Sequence, residues 1–241
     1  MNCLKTFIII LLAYFQSGCT KSVETLEGSD VFTYFPVAIG NAITYSLDST
    51  RYIQVGAEKE IRSYIIKDSV ETLTNETAKS KTYRIARLVR NEFDSTLWTR
   101  LSTYYITIDS SRLELMESNK KYLQLVAPIK DGLKWNRNAY STDSILASYS
   151  NTDQSDKVNN DIIPKSTTLL IRNDTISDPK DKKRYSAVYH WKEIYGKNIG
   201  LLFMERTEEI WQPPNANCST GYYEDKSFHI KITFLKSNFR K

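Results

Sequence analysis

The residues that could support catalysis are few. Cys218 is the only cysteine beyond residue 19, and His190 and His229 are the only histidines. Together with Arg206 they form a set suited to thiol-based transpeptidation, because a cysteine attacks as a thiolate when a base and a positive charge lie close to it. Nothing in the spacing brings these residues together. We therefore expect unrelated surface and core residues, with Cys218 packed as a small buried side chain.

Other catalytic and metal-binding patterns are missing from the sequence. It has no GxSxG, P-loop, GxGxxG, HExxH or paired CxxC motif. Residues 151–156 (NTDQSD) begin like a calcium loop, but Asp156 and Ile162 stand where that loop needs Gly and Glu. Glu193 and Glu205 could act on a glycan only if they faced each other across a cleft, and we expect them on a solvated face. The sequence predicts no enzyme, no metal site and no cofactor.

Aromatic side chains offer a binding hypothesis. The chain has 4 Trp, 16 Tyr and 9 Phe. Such rings stack on sugars or line apolar cavities, although most aromatics of a large β domain belong to its core. The candidate ligand contacts are the four tryptophans, Trp98, Trp135, Trp191 and Trp211.

Composition limits the fold and the partners. The 241 residues, 41% of them hydrophobic, are enough for one domain with a substantial core. The 33 basic and 28 acidic residues are interleaved, so the net charge of +5 forms no patch of the kind that binds nucleic acid. After removal of an N-terminal signal, the cysteines leave no pair for an internal disulfide.

Alternating apolar and polar residues predict β-strands through most of the chain. In the clearest example, Phe228, Ile230, Ile232 and Phe234 alternate with polar neighbours. Further strands are predicted around residues 43–47, 60–70, 83–89, 97–108, 112–116, 122–126, 168–172, 186–194 and 200–206. Of these, 112–116 and 122–126 are predicted to form a hairpin through Ser118, Asn119, Lys120 and Lys121. Residues 136–166 are predicted to be mostly loop, with a helical turn at 144–150, and residues 173–183 an exposed turn. The expected fold is mainly β, a single domain with an antiparallel curved sheet, as a half-barrel or a sandwich with little helix.

The N-terminus has the pattern of a bacterial lipoprotein signal. Lys5 precedes an apolar run at residues 7–15, and Ser17 and Gly18 provide the small residues next to the cut before Cys19. The run is too short to span a bilayer. We predict a signal peptide at residues 1–18 and lipidation of Cys19; a plain secretory signal and a short buried helix are the alternatives.

The predicted anchor defines the location and the domain boundaries. Residues 19–33 are polar and without period, which indicates a flexible tether, and residues 34–241 form the β-rich domain. The expected location is the outer membrane, held by the lipid, with both the periplasmic and the surface face open.

Four segments form a recognisable pattern, FPVAIGNAITY at residues 35–45, YGKNIGLLFMER at 195–206, IWQPP at 210–214 and CSTGYYEDKSFHIKITF at 218–234. Together they resemble a family of uncharacterised envelope lipoproteins from the Bacteroidota. The resemblance implies an envelope location and a β fold, and it implies no reaction.

Five Asp-Ser or Asp-Thr triplets resemble the acceptor motif of the general O-glycosylation system of these bacteria. An alternative is that these dipeptides are simply good turn formers. The candidate acceptors are Ser49, Ser69, Ser95, Ser144 and Thr175.

Taken together, these features predict a lipid-anchored cell-envelope protein that acts as a non-catalytic binding or structural module. Its partners would be the membrane, through the anchor, and an unknown glycan, protein or apolar ligand. Two alternatives stay open, a periplasmic carrier of an apolar ligand and an envelope hydrolase or thiol transpeptidase.

Overall fold

A single antiparallel sheet of 13 strands dominates the fold. The computed structural model describes residues 31–54, 56–92, 97–159, 161–216 and 218–239. One short helix, α1 (Val31–Tyr34), precedes the sheet. The strands are β1 (Ala42–Ile53), β2 (Glu58–Glu76), β3 (Ser80–Asn91), β4 (Thr99–Asp109), β5 (Arg112–Glu117), β6 (Lys120–Val126), β7 (Lys134–Asn136), β8 (Leu146–Val158), β9 (Asp161–Ile176), β10 (Ser186–Gly196), β11 (Gly200–Gln212), β12 (Tyr222–Tyr223) and β13 (Phe228–Ser237). The prediction of a mainly β fold with an antiparallel sheet is confirmed.

The sheet curls until its two edges meet. Its strand order is β6-β5-β4-β3-β2-β1-β13-β11-β10-β9-β8-β7, with β12 paired to β11. Beside the two edge strands, the Leu123 N–H donates to the Arg137 carbonyl at 2.8 Å. Trp135 Nε1 donates to the Leu123 carbonyl at 2.9 Å. The result is a nearly closed barrel, so the curved form is the predicted alternative that the structure shows, and the sandwich is not.

The hairpin between β5 and β6 confirms a prediction and refines it. Glu117 pairs with Lys120, which leaves Ser118 and Asn119 as a two-residue turn. Both turn residues have positive φ, 50° and 59°, as the tightest hairpin turns require. Lys120 therefore belongs to β6 and not to the turn.

The prediction of loop at residues 136–166 is wrong for most of that range. Strand β8 and the start of β9 form a long hairpin there, and no helical turn occurs at residues 146–150. Asn151 and Asp153 have positive φ, and the register shifts between Ser150 and Gln154. These irregularities break the alternation by which strands are recognised. Backbone pairing still forms because it does not depend on side-chain polarity.

The exposed turn predicted at residues 173–183 is shorter than expected. Residues 173–176 continue β9 and pair with β10, from Asn173 opposite His190 to Ile176 opposite Ala187. Their side chains are exposed, so this end of the strand carries no apolar alternation.

The apolar core consists of two clusters on the curled sheet. The first has Ile106, Leu113 and Leu125 among its fully buried members and includes both buried residues of α1. The second contains Ile66, Leu202 and Phe234. Val158 and Ile163, at the tip of the β8–β9 hairpin, pack into this second cluster. The tip of the mispredicted hairpin is therefore part of the core.

Helix α1 is packed into the protein through its apolar side chains. Val31 and Tyr34 are completely buried, and the Tyr34 hydroxyl donates to Asp153 Oδ1 at 2.8 Å. The Asn198 N–H donates to the Thr33 carbonyl at 2.7 Å. Residues 31–33 of the predicted tether belong to this helix. The rest of the tether, the signal peptide and Cys19 lie outside the described residues. Within the described ranges, no helix is both long enough and apolar enough to cross a bilayer.

Candidate ligand-binding site

A cavity of about 260 Å³, here called the interior cavity, lies inside the curl of the sheet. Its lining residues come from β1 to β6 and also from β10, β11 and β13, which can share one cavity only on the concave face. Phe35, Pro36 and Val37, directly after α1, also line it. The apolar walls include Ile43, Val70, Ile85, Leu113, Leu115, Leu201, Met204 and Ile230. Apolar walls with a few convergent polar groups are typical of small-ligand sites.

The first polar group in the cavity is an ion pair between neighbouring strands. Arg87 Nε and Nη2 each donate to a different oxygen of Asp68, both at 2.7 Å. The Tyr104 hydroxyl donates to Asp68 Oδ2 at 3.0 Å. Burial alone would lower the pKa of Arg87, but Asp68 raises it and the net shift is upward. Burial, and then the charge of Asp68, raises the pKa of Tyr104. The charge and the hydrogen-bonding groups of Asp68 are therefore satisfied by Arg87 and Tyr104.

The second polar group is centred on Glu193, which is only 3% exposed. Its carboxylate accepts hydrogen bonds from Trp191 Nε1 at 3.0 Å and from Gln124 Nε2 at 2.6 Å. It also accepts one from the Tyr195 hydroxyl at 2.5 Å. Burial, followed by the charge of Glu193, raises the pKa of Tyr195. Three donors on one buried carboxylate fix its position firmly.

Arg137 is, among the described residues that line the cavity, the one that this network leaves partly unsatisfied. The side chain is 2% exposed and donates through Nη2 to Gln124 Oε1. Its Nε and Nη1 have no hydrogen-bond partner among the described residues. The guanidinium lies over the Trp191 ring, 4.3 Å from the centroid, and over the Tyr122 ring at 4.6 Å. Burial lowers the pKa of Arg137, although Glu193 acts in the opposite direction.

A second guanidinium shares the same indole. Arg206 lies 4.4 Å from the centroid of Trp191, and its charge acts on Arg137 to lower the pKa further. Within the described part of the chain, Arg206 makes no hydrogen bond and no ion pair. Two guanidiniums, neither of them hydrogen-bonded to a carboxylate of the described residues, thus converge on Trp191.

A wider hollow adjoins the interior cavity at this point. It has a volume of about 570 Å³ and shares Trp191 and Arg206 with the interior cavity as lining residues. Its other side chains are mostly polar and include Arg172, Asn173, Asp174, His190 and Glu208. Trp191 and Arg206 therefore lie where an apolar space meets a polar one.

The four tryptophans singled out in the sequence do not form a common platform. Only Trp191 lines the interior cavity. Trp135 is buried against Tyr149, with ring centroids 4.5 Å apart, and Trp211 is buried elsewhere. Trp98 is half-buried and contacts basic side chains, with Lys67 Nζ 4.5 Å from its ring centroid.

The candidate thiol set is not assembled in the structure. Cys218 is half-buried and not fully buried as expected, with its Sγ 3.7 Å from Thr220 Oγ1. The Thr220 hydroxyl lowers the pKa of this thiol. His190 and His229 instead flank Glu205, with Nε2 to carboxylate distances of 3.7 and 3.2 Å. In the described ranges neither histidine contacts Cys218, and no three His, Cys, Asp or Glu residues are placed to hold a metal.

The expectation of a solvated Glu193 is wrong, whereas Glu205 is partly exposed. Glu205 pairs with Lys192, the residue before Glu193, so the two carboxylates lie on opposite faces of the sheet. Glu193 points into the curl with its pairing partner Met204. The two residues cannot face each other across a cleft.

Several cavity residues were not identified from the sequence. Asp68 and Arg87 had a recognisable signal, because each occupies the inward phase of an alternating strand, between Ile66 and Val70 and between Ile85 and Val89. Opposite charges at the apolar phase of two consecutive strands indicate a buried pair. Arg137 follows the short strand β7 and had no such signal.

Comparison with known proteins adds no relative. No protein-family model matches this chain, and no curated protein matches it. The resemblance to the Bacteroidota lipoproteins stays a prediction. The geometry itself defines the class as a nearly closed antiparallel sheet with an apolar interior cavity and a few buried charges.

The candidate O-glycosylation sites differ in exposure. Ser144 precedes β8 and Thr175 lies near the end of β9, and both are exposed. Ser49 and Ser69 are half-buried within β1 and β2, which are hydrogen-bonded to neighbours on both sides. Ser95 lies outside the described residues.

We expect any glycan to be attached at Ser144 or Thr175 and not at Ser49 or Ser69. A transferase needs the hydroxyl in solvent, and a strand inside a sheet does not present it. Intact mass of the protein from its native host should fall by one glycan in the Ser144→Ala or Thr175→Ala variant. The Ser49→Ala and Ser69→Ala variants serve as controls and should keep the full mass. A glycan mapped to Ser49 or Ser69 would contradict the expectation.

Proposed function

We propose that this protein is a non-catalytic binding protein of the cell envelope that holds a largely apolar small molecule in its interior cavity. The observation that supports this most directly is the cavity itself, with apolar walls from nine strands and a small number of buried polar groups. Hydrophobic burial would supply the affinity, and the polar groups would fix the orientation. The lipid anchor at Cys19 and the outer-membrane location belong to the proposal and rest on the N-terminal sequence.

The other functions considered from the sequence receive less support. A stacking platform would need exposed aromatic rings in a row, and Trp135 and Trp211 are buried in separate places. A thiol enzyme would need a base beside Cys218, whose neighbours are Thr220 and Gly221. The carrier of an apolar ligand is therefore the favoured function.

Filling the cavity tests this proposal. Met204 lines the interior cavity, whereas Met116 on β5 is exposed, so the same Met→Trp substitution can be made at both positions. The affinity for the neutral fluorescent probe N-phenyl-1-naphthylamine is expected to fall about tenfold or more in Met204→Trp, because the larger ring occupies the space that the probe needs. Fluorescence titration gives the dissociation constants.

The control is Met116→Trp, which should bind the probe as the wild type does. Thermal unfolding checks that Met204→Trp is still folded, since overpacking costs about 1–3 kcal/mol. Equal probe affinity in the wild type and both variants would place the probe outside the cavity and overturn the proposal.

A further inference from the structure

Arg137 is a buried cation with unused hydrogen-bonding capacity. At 2% exposure its Nε and Nη1 groups have no acceptor in the part of the chain that the structure describes, although the side chain lines a cavity with room for one. A buried donor without a partner costs free energy, and a buried charge costs more. The neighbouring carboxylate of Glu193 does not fill this role, since its hydrogen bonds go to Trp191, Gln124 and Tyr195.

The charges of the cavity are not evenly distributed. Three acidic and three basic side chains line it. Asp68 is paired with Arg87, and Glu117 also acts on Arg87. Around Trp191, by contrast, two guanidiniums face the single carboxylate of Glu193. Counted over the side chains that line the interior cavity, this end therefore carries an excess of one positive charge.

We propose that the ligand is an amphiphile with a single carboxylate, which binds to Arg137 and Arg206 beside Trp191 while its apolar chain occupies the interior cavity. This inference rests on the proposed function and deepens it by naming the ligand class. The carboxylate would accept from the N–H groups of Arg137 that have no partner among the described residues, and it would pair with Arg206, whose exposed side chain has no ionic partner in the same ranges.

The chemistry of the site favours a carboxylate over other head groups. A guanidinium matches the planar carboxylate in shape and in hydrogen-bond geometry. One negative charge neutralises the local excess of one positive charge, whereas a doubly charged phosphate would leave a buried negative excess beside Glu193. A cationic head group would add to the repulsion between Arg137 and Arg206. A neutral alcohol would leave the excess charge in place.

Head-group comparison in the wild-type protein is the first test. Decanoate, decanol and decyltrimethylammonium have the same chain and differ in charge, and each can be titrated against bound N-phenyl-1-naphthylamine at pH 7. We expect decanoate to displace the probe at about a tenfold lower concentration than decanol, the range that a charge-assisted hydrogen bond gives. Decyltrimethylammonium should be the weakest competitor.

Variants then assign the preference to the two arginines. The ratio of decanoate to decanol affinity is expected to fall about tenfold in Arg137→Met, since the variant removes the main hydrogen-bond donor to the carboxylate. Arg206→Met should lower the same ratio, and it keeps the inference testable if Arg137→Met does not fold. Arg84→Met, on the exposed side of β3 and paired with Glu71, is the control and should leave the ratio unchanged.

The outcomes separate this inference from the proposed function. If decanoate and decanol compete equally in the wild type, the carboxylate site is overturned, while binding in the cavity still stands. If the ammonium compound competes best, the charge argument is wrong. If the probe binds and no decyl compound displaces it, the inference is overturned. If the probe itself does not bind, the proposed function fails as well.

Discussion

Replacing Arg87 with Met is expected to lower the free energy of unfolding by about 3 kcal/mol. The substitution removes both charge-assisted hydrogen bonds of Asp68, a residue that is 9% exposed, and leaves its carboxylate with Tyr104 as donor. A carboxylate stranded in an apolar interior costs far more than the pair contributed, because neither water nor protein can solvate it. The value lies at the lower end of the usual range since the Arg87 side chain keeps 22% exposure.

The matched control lies three residues away on the same strand. Arg84 pairs with Glu71 across β2 and β3, as Arg87 pairs with Asp68, but its side chain is 44% exposed. Arg84→Met is therefore expected to cost less than about 1 kcal/mol. Urea unfolding at pH 7 gives the difference in the free energy of unfolding between the variants. The comparison uses the same m value, the dependence of that free energy on urea concentration, for all proteins.

A double variant distinguishes a stranded charge from lost packing. In Asp68→Leu, Arg87→Met both charges are gone, and much of the loss should be recovered because a buried pair replaced by apolar groups is often neutral. An Arg87→Met variant no less stable than Arg84→Met would show that water reaches Asp68. A double variant as unstable as the single one would attribute the loss to packing.

The strands that the sequence predicted well are those whose inward phase is mostly apolar. In β13, Phe228, Ile230 and Ile232 face the concave side as the alternation requires, and β1 follows the same rule at Ile43, Tyr45 and Leu47. In these strands the hydrophobicity of each residue indicates whether its side chain is buried. Local sequence is sufficient for these elements because the period of 2 is imposed by the pleat itself.

The β8–β9 hairpin shows what local sequence does not report. Residues 151–157 of β8 are polar and mostly exposed, and Asn151 and Asp153, two of its residues with positive φ, shift the alternation. Strand β8 is stabilised by its backbone pairing with β9, and the tip of the hairpin is stabilised by the burial of Val158 and Ile163 against distant strands. Those contacts depend on how the whole sheet curls. The same limit applies to Arg137, which enters the cavity only because β6 and β7 meet at the closure of the sheet.

Glu193 shows both what the local sequence predicts and what it does not. Its strand was predicted, and Trp191 and Tyr195 at the same phase mark the face that turns inward. The sequence predicts a solvated carboxylate for a lone charge at an apolar phase, because charged residues are rarely buried without partners. The hydrogen-bond partner Gln124 lies on β6, an edge strand far from β10 in the strand order. No local sequence pattern around Glu193 could therefore predict this contact.

Replacing Glu193 with Gln is expected to lower the free energy of unfolding by about 3 kcal/mol and to make the protein respond more strongly to decanoate. The amide presents an N–H where the carboxylate accepted one, so the donors at Trp191, Gln124 and Tyr195 can no longer all be satisfied. Arg137 also loses the nearest negative charge and stays buried as an uncompensated cation.

Thermal unfolding with and without decanoate measures both effects. A bound carboxylate would restore the missing negative charge, so the rise in melting temperature caused by decanoate should be larger in Glu193→Gln than in the wild type. Glu205→Gln, on the opposite face and partly exposed, is the matched control and should behave as the wild type does. A decanoate response that is no larger in Glu193→Gln would mean that the anion binds away from Arg137. The buried carboxylate of Glu193 would then contribute to stability alone. The excess positive charge of Arg137 and Arg206 beside Trp191 would have to be neutralised by another anionic group.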